Sequence, residues 1–145
     1  MKVISIIQPW ATLIALVEKK FETRSWRTNH TGKLAIYSSK KIDRSAFSRE
    51  PIVQTLINHG IVTLENLPTG KILATCKLEG CFEVIENKGD SALLGNEAYI
   101  ASGIEYHLGD FNEGRYGWLF SNVNVLNEPI QAKGQLGLWN YQELD

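Results

Sequence analysis

The apolar and polar positions of this chain follow a strand-like period in some segments and a helix-like period in others. Residues 3–7 are rich in β-branched side chains and predict a first strand. Residues 9–18 carry apolar side chains at helical spacing, which predicts a short amphipathic helix. Residues 21–26 and 33–39 alternate between the two kinds of side chain, so each is interpreted as a strand.

The remainder of the chain continues this mixture. In order, the pattern predicts a helix with its apolar stripe over 52–57, a long, possibly bent strand over 71–86, a loop over 87–95 and a helix over 96–106. A strand over 115–126 follows, and then a last pair of short strands that starts at Pro129-Ile130 and ends at 137–139. Gly80 marks a bulge or a barrel corner in the long strand. About six strands with two or three short helices indicate a single α+β domain, residues 1–145, built on a curved sheet or small barrel.

Composition places the chain among soluble globular proteins. Of the 145 residues, 43% are hydrophobic and 21% are charged, and no apolar run reaches the roughly 18 residues that a membrane helix needs. The short apolar N-terminal run is cut by Gln8-Pro9, which argues against a signal peptide. We therefore expect a cytoplasmic protein without membrane contact, and we interpret Cys76 and Cys81 as reduced thiols.

The histidines and cysteines do not suggest a metal. His30, His59 and His107 are scattered, and the two cysteines have no zinc-type spacing relative to them. We expect neither a metal nor another cofactor.

Charge is unevenly distributed along the chain. The net charge is −1, yet residues 1–50 hold ten lysines and arginines against four acidic residues. Such a distribution permits a basic face on a protein that is almost neutral overall.

The stretch of residues 18–28 concentrates ionic side chains between two apolar segments. If residues 21–26 form a strand, Glu22, Arg24 and Trp26 point to one face, and Thr23 points to the other. Lys19 comes from the preceding turn and reaches the same face as Glu22. A lysine, a carboxylate and a guanidinium that meet in a partly shielded cleft perturb one another's pKa values, as in many functional sites. The alternative is an ion-pair cluster that only positions the turn.

Several of these segments together resemble the activating signal cointegrator homology (ASCH) domain family. The likeness rests on QPW at residues 8–10, the motif from Val17 to Arg24, the strand LPTGKILATCKLEGC and the C-terminal segment 109–140. The family motif is glycine-x-lysine-x-x-glutamate-x-arginine, which Lys19, Glu22 and Arg24 match. Val17 replaces the glycine, and because a valine does not readily take a left-handed backbone angle, we expect a differently shaped turn here.

This resemblance implies a fold and a function. The implied fold is a small β-barrel of the PUA-like type, named after pseudouridine synthase and archaeosine transglycosylase, with a cleft across the barrel that holds the motif. The implied function lies in RNA metabolism, with RNA, a nucleoside or a nucleotide as partner. The expected contact residues are Lys19, Glu22, Arg24, Trp26, Lys40, Gln8 and Arg115.

The side-chain chemistry of each expected contact residue suits a particular part of a nucleotide. Arg24 is suited to grip a phosphate or a base edge, Glu22 to accept hydrogen bonds from an exocyclic amine, and Trp26 to stack on an unpaired base. Lys40 follows the third strand as a phosphate contact, and Arg115 lines the far wall of the cleft. Gln8 either contacts a base or caps the first helix.

Two alternatives to a binding module stay open. The first is a metal-free hydrolase, either a ribonuclease or, like some ASCH relatives, an amidohydrolase on an acylated cytidine-type nucleoside, with Lys19 and Glu22 as catalytic residues. Those relatives carry threonine where Glu22 stands, and Thr23 is predicted to face away. The second is a protein-interaction adaptor, for which the chain offers no exposed apolar stripe. The sequence is compatible with an enzyme and with a binder.

Overall fold

The computed structural model describes residues 1–144, which form eight β-strands and three α-helices. In chain order these are β1 (Lys2–Gln8), α1 (Trp10–Ala15), β2 (Phe21–Arg24), β3 (Gly32–Ile42), α2 (Ile52–Asn58), β4 (Lys71–Asn87), β5 (Ser91–Leu94), β6 (Tyr99–Ser102), α3 (Gly103–His107), β7 (Tyr116–Gln131) and β8 (Leu138–Asn140). Short 3-10 turns lie at Arg44–Ser48, Leu64–Asn66 and Gln142–Leu144. The predicted α+β class is confirmed, with eight strands where about six were expected.

Six strands form a mixed sheet in the order β2-β7-β4-β3-β1-β8, and β5 pairs with β4 and with β6. Only β1 and β3 are parallel neighbours among these described strands, and the chain between them crosses over through α1 and β2. Because β2 and β8 stand at the two edges of this path, the sheet is not closed within residues 1–144. The predicted barrel is therefore not confirmed.

The largest apolar cluster lies between α1 and the sheet. It contains the buried residues Ile4, Ile6, Ala11, Ile14, Leu34, Ile36, Ala74, Leu78, Trp118 and Phe120. Alternate positions of the strands supply these side chains, as period-2 patterning requires, while α1 contributes one face. The packing fixes α1 against β1 and β2, and it thereby fixes the turn that carries Lys19.

The strands β4 and β7 are unusually long and lie side by side over most of their length. Their register shifts at three places, and one shift lies between Leu78 and Gly80, where the sequence predicted a bulge. A straight strand of 17 residues would span about 55 Å. The irregularities bend the pair, so that β4 serves both the main sheet and the β5–β6 hairpin.

Two predicted segments are wrong. Residues 87–95, expected as a loop, contain β5, and residues 96–106, expected as a helix, contain β6 and most of the short α3. Ala92 and Leu94 are buried on one face of the hairpin, and the turn that follows has positive φ at Gly95 and Asn96. A turn of this kind joins two antiparallel strands and interrupts any helix at that point.

The helices are short. The first one ends at Ala15, earlier than the predicted residue 18, while α2 coincides with the predicted apolar stripe. Within residues 1–144, no helix has the length and apolar character needed to cross a membrane.

Both cysteines are free and lie in β4 on either side of its bulge. Burial raises the pKa of the Cys76 thiol to about 12 and also raises the pKa of Cys81. The thiolate form is thus disfavoured at both positions, which suits packing more than reactivity.

Candidate functional site

A cavity of about 480 Å³ opens beside β2 and is lined by residues from several elements of the fold. Its walls come from β1, the start of α1, the turn before β2, β2 itself, β3 and the loop after it, the end of α3 and the loop after it, and the segment between β7 and β8. The lining residues are Ser5, Ile7, Trp10, Lys19, Glu22, Thr23, Arg24, Ser39, Asp43, Arg49, His107, Leu108, Gly109, Asp110, Arg115, Leu136 and Gly137. The predicted residues Lys19, Glu22, Arg24 and Arg115 therefore line one cavity.

Lys19 is the most deeply buried ionic group of the cavity, with 2% of its surface exposed. Its Nζ donates a hydrogen bond to the Phe21 carbonyl and lies 4.0 Å from Glu22 Oε1. Gly109 leaves room for the ammonium, because a Cβ at that position would lie 3.3 Å from Lys19 Nζ. Burial lowers the pKa of Lys19, and the nearby Glu22 carboxylate opposes this effect.

Glu22 and Arg24 lie on the same side of β2, as the strand alternation predicted. The Arg24 Nε is 3.2 Å from Glu22 Oε2, and Arg24 Nη2 donates to the Ser5 carbonyl at 2.6 Å. Glu22 thus lies between Lys19 and Arg24, and Arg24 connects β2 to β1.

Arg115 and Asp110 form the opposite wall. The Arg115 Nη2 donates to the Thr23 carbonyl at 3.0 Å, its Nε lies 3.5 Å from Asp110 Oδ2, and the Asp110 amide donates to Thr23 Oγ1 at 3.2 Å. Thr23 belongs to the lining of the cavity, and its hydroxyl is held by the loop after α3. The loop after α3 folds over β2 and encloses that side chain, which strand alternation alone does not reveal.

Three lining residues that the sequence did not indicate form a further wall. Trp10 is half-buried, and its ring has Lys19 Nζ at 5.9 Å and Arg49 Cζ at 5.8 Å from the ring centroid. Arg49 in turn pairs with Asp43 at 3.2 Å. Cations at this distance interact favourably with an aromatic ring. The QPW segment was the available signal for Trp10, whereas no signal marked Asp43 or Arg49.

Trp26 and Gln8 lie outside the cavity lining. β2 ends at Arg24, and Trp26 packs edge-on against Trp118 with a centroid distance of 4.9 Å. Gln8 is fully buried, and its amide bonds to Thr12 Oγ1, the Pro68 carbonyl and the Thr12 amide. The expected ligand contact of Gln8 is therefore not what the structure shows; it caps α1, which was the other expectation.

Lys40 lies at a second, larger hollow of about 920 Å³, which we call the basic hollow. Its lining residues are Ser5, Tyr37, Ser39, Lys40, Thr69, Gly70, Lys71, Gln131, Ala132, Lys133, Gly134, Gln135 and Leu136. The expected phosphate contact is thus placed beside the cavity and not within it.

The free edge of β2 is covered by side chains instead of by another strand. The Glu105 carboxylate accepts hydrogen bonds from the Lys20 amide at 2.7 Å and the Phe21 amide at 3.3 Å. Lys19 and Arg115 donate to the carbonyls of Phe21 and Thr23 on the same edge. These side chains thereby satisfy four backbone groups along the edge, namely the amides of Lys20 and Phe21 and the carbonyls of Phe21 and Thr23.

The charges of the cavity alternate in sign. Each of its three arginines has a carboxylate within 4.0 Å: Arg24 has Glu22, Arg49 has Asp43 and Arg115 has Asp110. The cavity therefore presents hydrogen-bond donors and acceptors side by side. It does not present a uniformly positive surface. Within the described part of the chain, no three His, Cys, Asp or Glu side chains are grouped closely enough to hold a metal ion.

Comparison with known proteins points to one family. The sequence model of the ASCH domain matches residues 4–127. The fold is similar to the crystal structure of ASCH from Zymomonas mobilis, with a TM-score of 0.54, 14% sequence identity, and coverage of 98% of this chain and 88% of that chain. At this identity the similarity shows a common fold and nothing further. No protein with a curated description matches the sequence at a significant level.

Proposed function

The chain belongs to the ASCH-domain family, and on that basis we propose that its cavity binds RNA or a modified nucleotide through the Lys19-x-x-Glu22-x-Arg24 motif. The family is PUA-like, which is consistent with RNA binding. One observation carries the proposal: all three motif side chains line a single open cavity together with an aromatic ring, Trp10.

The size and chemistry of the cavity suit one nucleotide. A volume of about 480 Å³ lies in the usual range for small-molecule sites, roughly 300–1,000 Å³. Nucleobases carry donors and acceptors along one edge, and the alternating carboxylates and guanidinium groups offer both kinds of partner. An unpaired base is accessible on its edge and its face, unlike a base within a duplex.

We assign roles on this basis. Glu22 accepts hydrogen bonds from an exocyclic amine, and Arg115 donates to base or phosphate oxygens from the opposite wall. Trp10 takes the stacking role that the sequence suggested for Trp26, because Trp10 lines the cavity and Trp26 does not. Stacking of this kind contributes about 1–3 kcal/mol per base.

Substitution of Arg49 tests the proposal without disturbing the core, because 52% of its side chain is exposed. We expect Arg49→Gln to weaken binding of a short single-stranded RNA about tenfold, as loss of a charge-assisted hydrogen bond would. Arg24→Ala should weaken binding at least as much, and in both variants the dependence on salt should be smaller. Fluorescence anisotropy over a salt series measures both effects.

The matched control is Arg27→Gln, which removes the same charge from an exposed position that does not line the cavity. Equal affinities for wild type, Arg49→Gln and Arg24→Ala would contradict binding at the cavity. A loss in Arg27→Gln as large as in Arg49→Gln would indicate nonspecific attraction.

A second function, hydrolysis, is favoured by the buried Lys19 and its lowered pKa. A neutral Lys19 amine would take a proton from water while the water oxygen attacks the acyl carbon of an acylated cytidine. The carbon–nitrogen bond then breaks, and the proton passes to the departing amine, which yields a carboxylic acid and cytidine. Glu22, 4.0 Å from Lys19, would orient the water.

An assay of acylated nucleosides and RNA tests this alternative. If hydrolysis occurs at this site, Lys19→Met should lower kcat at least 100-fold, since general bases contribute about 10²- to 10⁴-fold. The exposed neighbour Lys20 provides the control, and Lys20→Met should retain the wild-type rate. Absence of turnover by wild type, or equal turnover by Lys19→Met, excludes Lys19 as a general base.

A further inference from the structure

The basic hollow and the cavity adjoin each other. Ser5, Ser39 and Leu136 line both of them, so the two spaces meet at these three residues and no other residue lies between them. Leu136 is 96% exposed, which leaves its side chain free to contact a ligand that passes from one space to the other. The Ser39 Oγ is buried at this junction and has no hydrogen-bond partner in residues 1–144.

The two spaces differ in their charges. The charged residues that line the basic hollow are Lys40, Lys71 and Lys133, and no carboxylate is among its lining residues. None of these lysines has a carboxylate of residues 1–144 within 4.0 Å, whereas every arginine of the cavity has one. Ammonium groups that share one concave surface without counter-charges attract polyanions, and phosphodiester chains above all.

The segment that carries Lys133 is held in place by the floor of the hollow. The Tyr37 hydroxyl donates to the Ala132 carbonyl at 3.0 Å and accepts from the Gly134 amide at 3.1 Å. Gly134 lies so close to the Tyr37 ring that a Cβ there would stand 2.1 Å from a ring carbon. The backbone of the hollow is therefore formed before any ligand arrives.

We infer that the ligand is a single-stranded nucleic acid that occupies both spaces. One nucleotide places its base in the cavity, the chain crosses at Ser5, Ser39 and Leu136, and the adjoining phosphates lie against the three lysines. This inference rests on the proposed function and narrows it, because a free nucleoside or mononucleotide would fill the cavity alone. An acidic peptide has charge but no base for the cavity.

The test compares an eight-nucleotide single-stranded RNA of mixed sequence with the four mononucleotides. We expect wild type to bind the RNA at least tenfold more tightly than the best mononucleotide. The triple variant Lys40→Gln, Lys71→Gln, Lys133→Gln should lose at least tenfold in RNA affinity and leave mononucleotide affinity unchanged. Its plot of log K against log salt should be less steep by about 2, as expected for three lost phosphate contacts on a single strand.

The matched control is the triple variant Lys33→Gln, Lys77→Gln, Lys88→Gln, which makes the same change in net charge at exposed positions elsewhere. Equal losses in both triple variants overturn the inference, as does a mononucleotide that binds as tightly as the RNA; in both cases the proposed function stands. A poly-glutamate peptide that competes as well as RNA of equal charge also overturns the inference. If neither RNA nor mononucleotide binds wild type, both proposals fail.

Discussion

At the scale of single residues, the notable group is the ammonium of Lys19. It is buried beside Glu22, and one of its protons is donated to the Phe21 carbonyl. Removing a charge from water is costly, and the pair at 4.0 Å offsets that cost only partly, since burial is the largest influence on the lowered pKa. The residue is thus retained at a cost in stability, which is typical of groups kept for a function.

The lowered pKa of Lys19 has a consequence for stability against pH. Between its folded pKa and the ordinary value of 10.5, the folded protein binds fewer protons than the unfolded chain, so stability rises with pH in that window. We expect wild type to gain stability relative to Lys19→Met as pH rises from neutrality towards 10.5. The gain should be about 1.4 kcal/mol for each unit by which the folded pKa is lowered. Urea titrations across this range measure it.

The difference in free energy of unfolding between wild type and Lys19→Met at a single pH is not informative, because the substitution also removes the hydrogen bond to Phe21. The informative quantity is the change of this difference with pH. If the difference stays constant between pH 7 and pH 10, Lys19 remains charged on folding. Lys20→Met serves as the control for removal of a lysine charge.

Part of the site follows from sequence at this scale. Lys19, Glu22 and Arg24 were found because a motif and a period-2 pattern both pointed to them. Arg49 and Asp110 were not found, since each reaches the cavity from a loop whose path depends on tertiary packing. Trp26 was misplaced because the strand ends two residues earlier than alternation indicates.

At the scale of elements, the turn between α1 and β2 determines where Lys19 points. Val17 occupies this turn with φ of 61°, so the expectation that a valine would avoid the left-handed angle is wrong. The turn keeps the conformation that suits glycine, the residue of the family motif, although a β-branched side chain in it is strained. Packing of α1 on one side and the pairing of β2 with β7 on the other impose this conformation.

Restoring glycine at this turn should relieve the strain. We expect Val17→Gly to raise the free energy of unfolding by about 0.5–1 kcal/mol, the difference between the left-handed penalty of an L-residue and the entropy cost of glycine. Little packing is lost, since Val17 is 61% exposed. Urea denaturation compares the variant with Val17→Ala, which keeps a Cβ and should gain less than half as much. An equal gain in both variants would refute backbone strain as the cause.

Secondary-structure elements were predicted correctly where the alternation of apolar and polar residues is long. The strands over 71–86 and 115–126 were found because this alternation persists through more than ten residues, and Gly80 indicated the irregularity in the first of them. The β5–β6 hairpin was missed because each of its strands has only four residues, too few to separate period 2 from period 3.6.

At the scale of the whole molecule, the proposed ligand surface is assembled from parts that are far apart in sequence. The three lysines of the basic hollow come from β3, β4 and the segment after β7, and only Lys40 belongs to the strongly basic first 50 residues. The excess of basic residues in the first third of the chain therefore indicated only one of the three lysines of the basic hollow. Such a surface depends on strand order, and β1 reaches β3 and β8 through pairings that local patterns do not specify.

The covered edge of β2 links the protein's resistance to aggregation to the side chains of its cavity. An edge strand with free peptide groups is a template on which another chain can add a strand, and this is a common start of aggregation. Here the side chains of Lys19, Arg115 and Glu105 occupy these peptide groups by hydrogen bonding, and Lys19 and Arg115 also line the cavity. Substitution of Lys19 or Arg115 would therefore remove a side chain from the cavity and at the same time expose backbone groups on which another chain could add a strand.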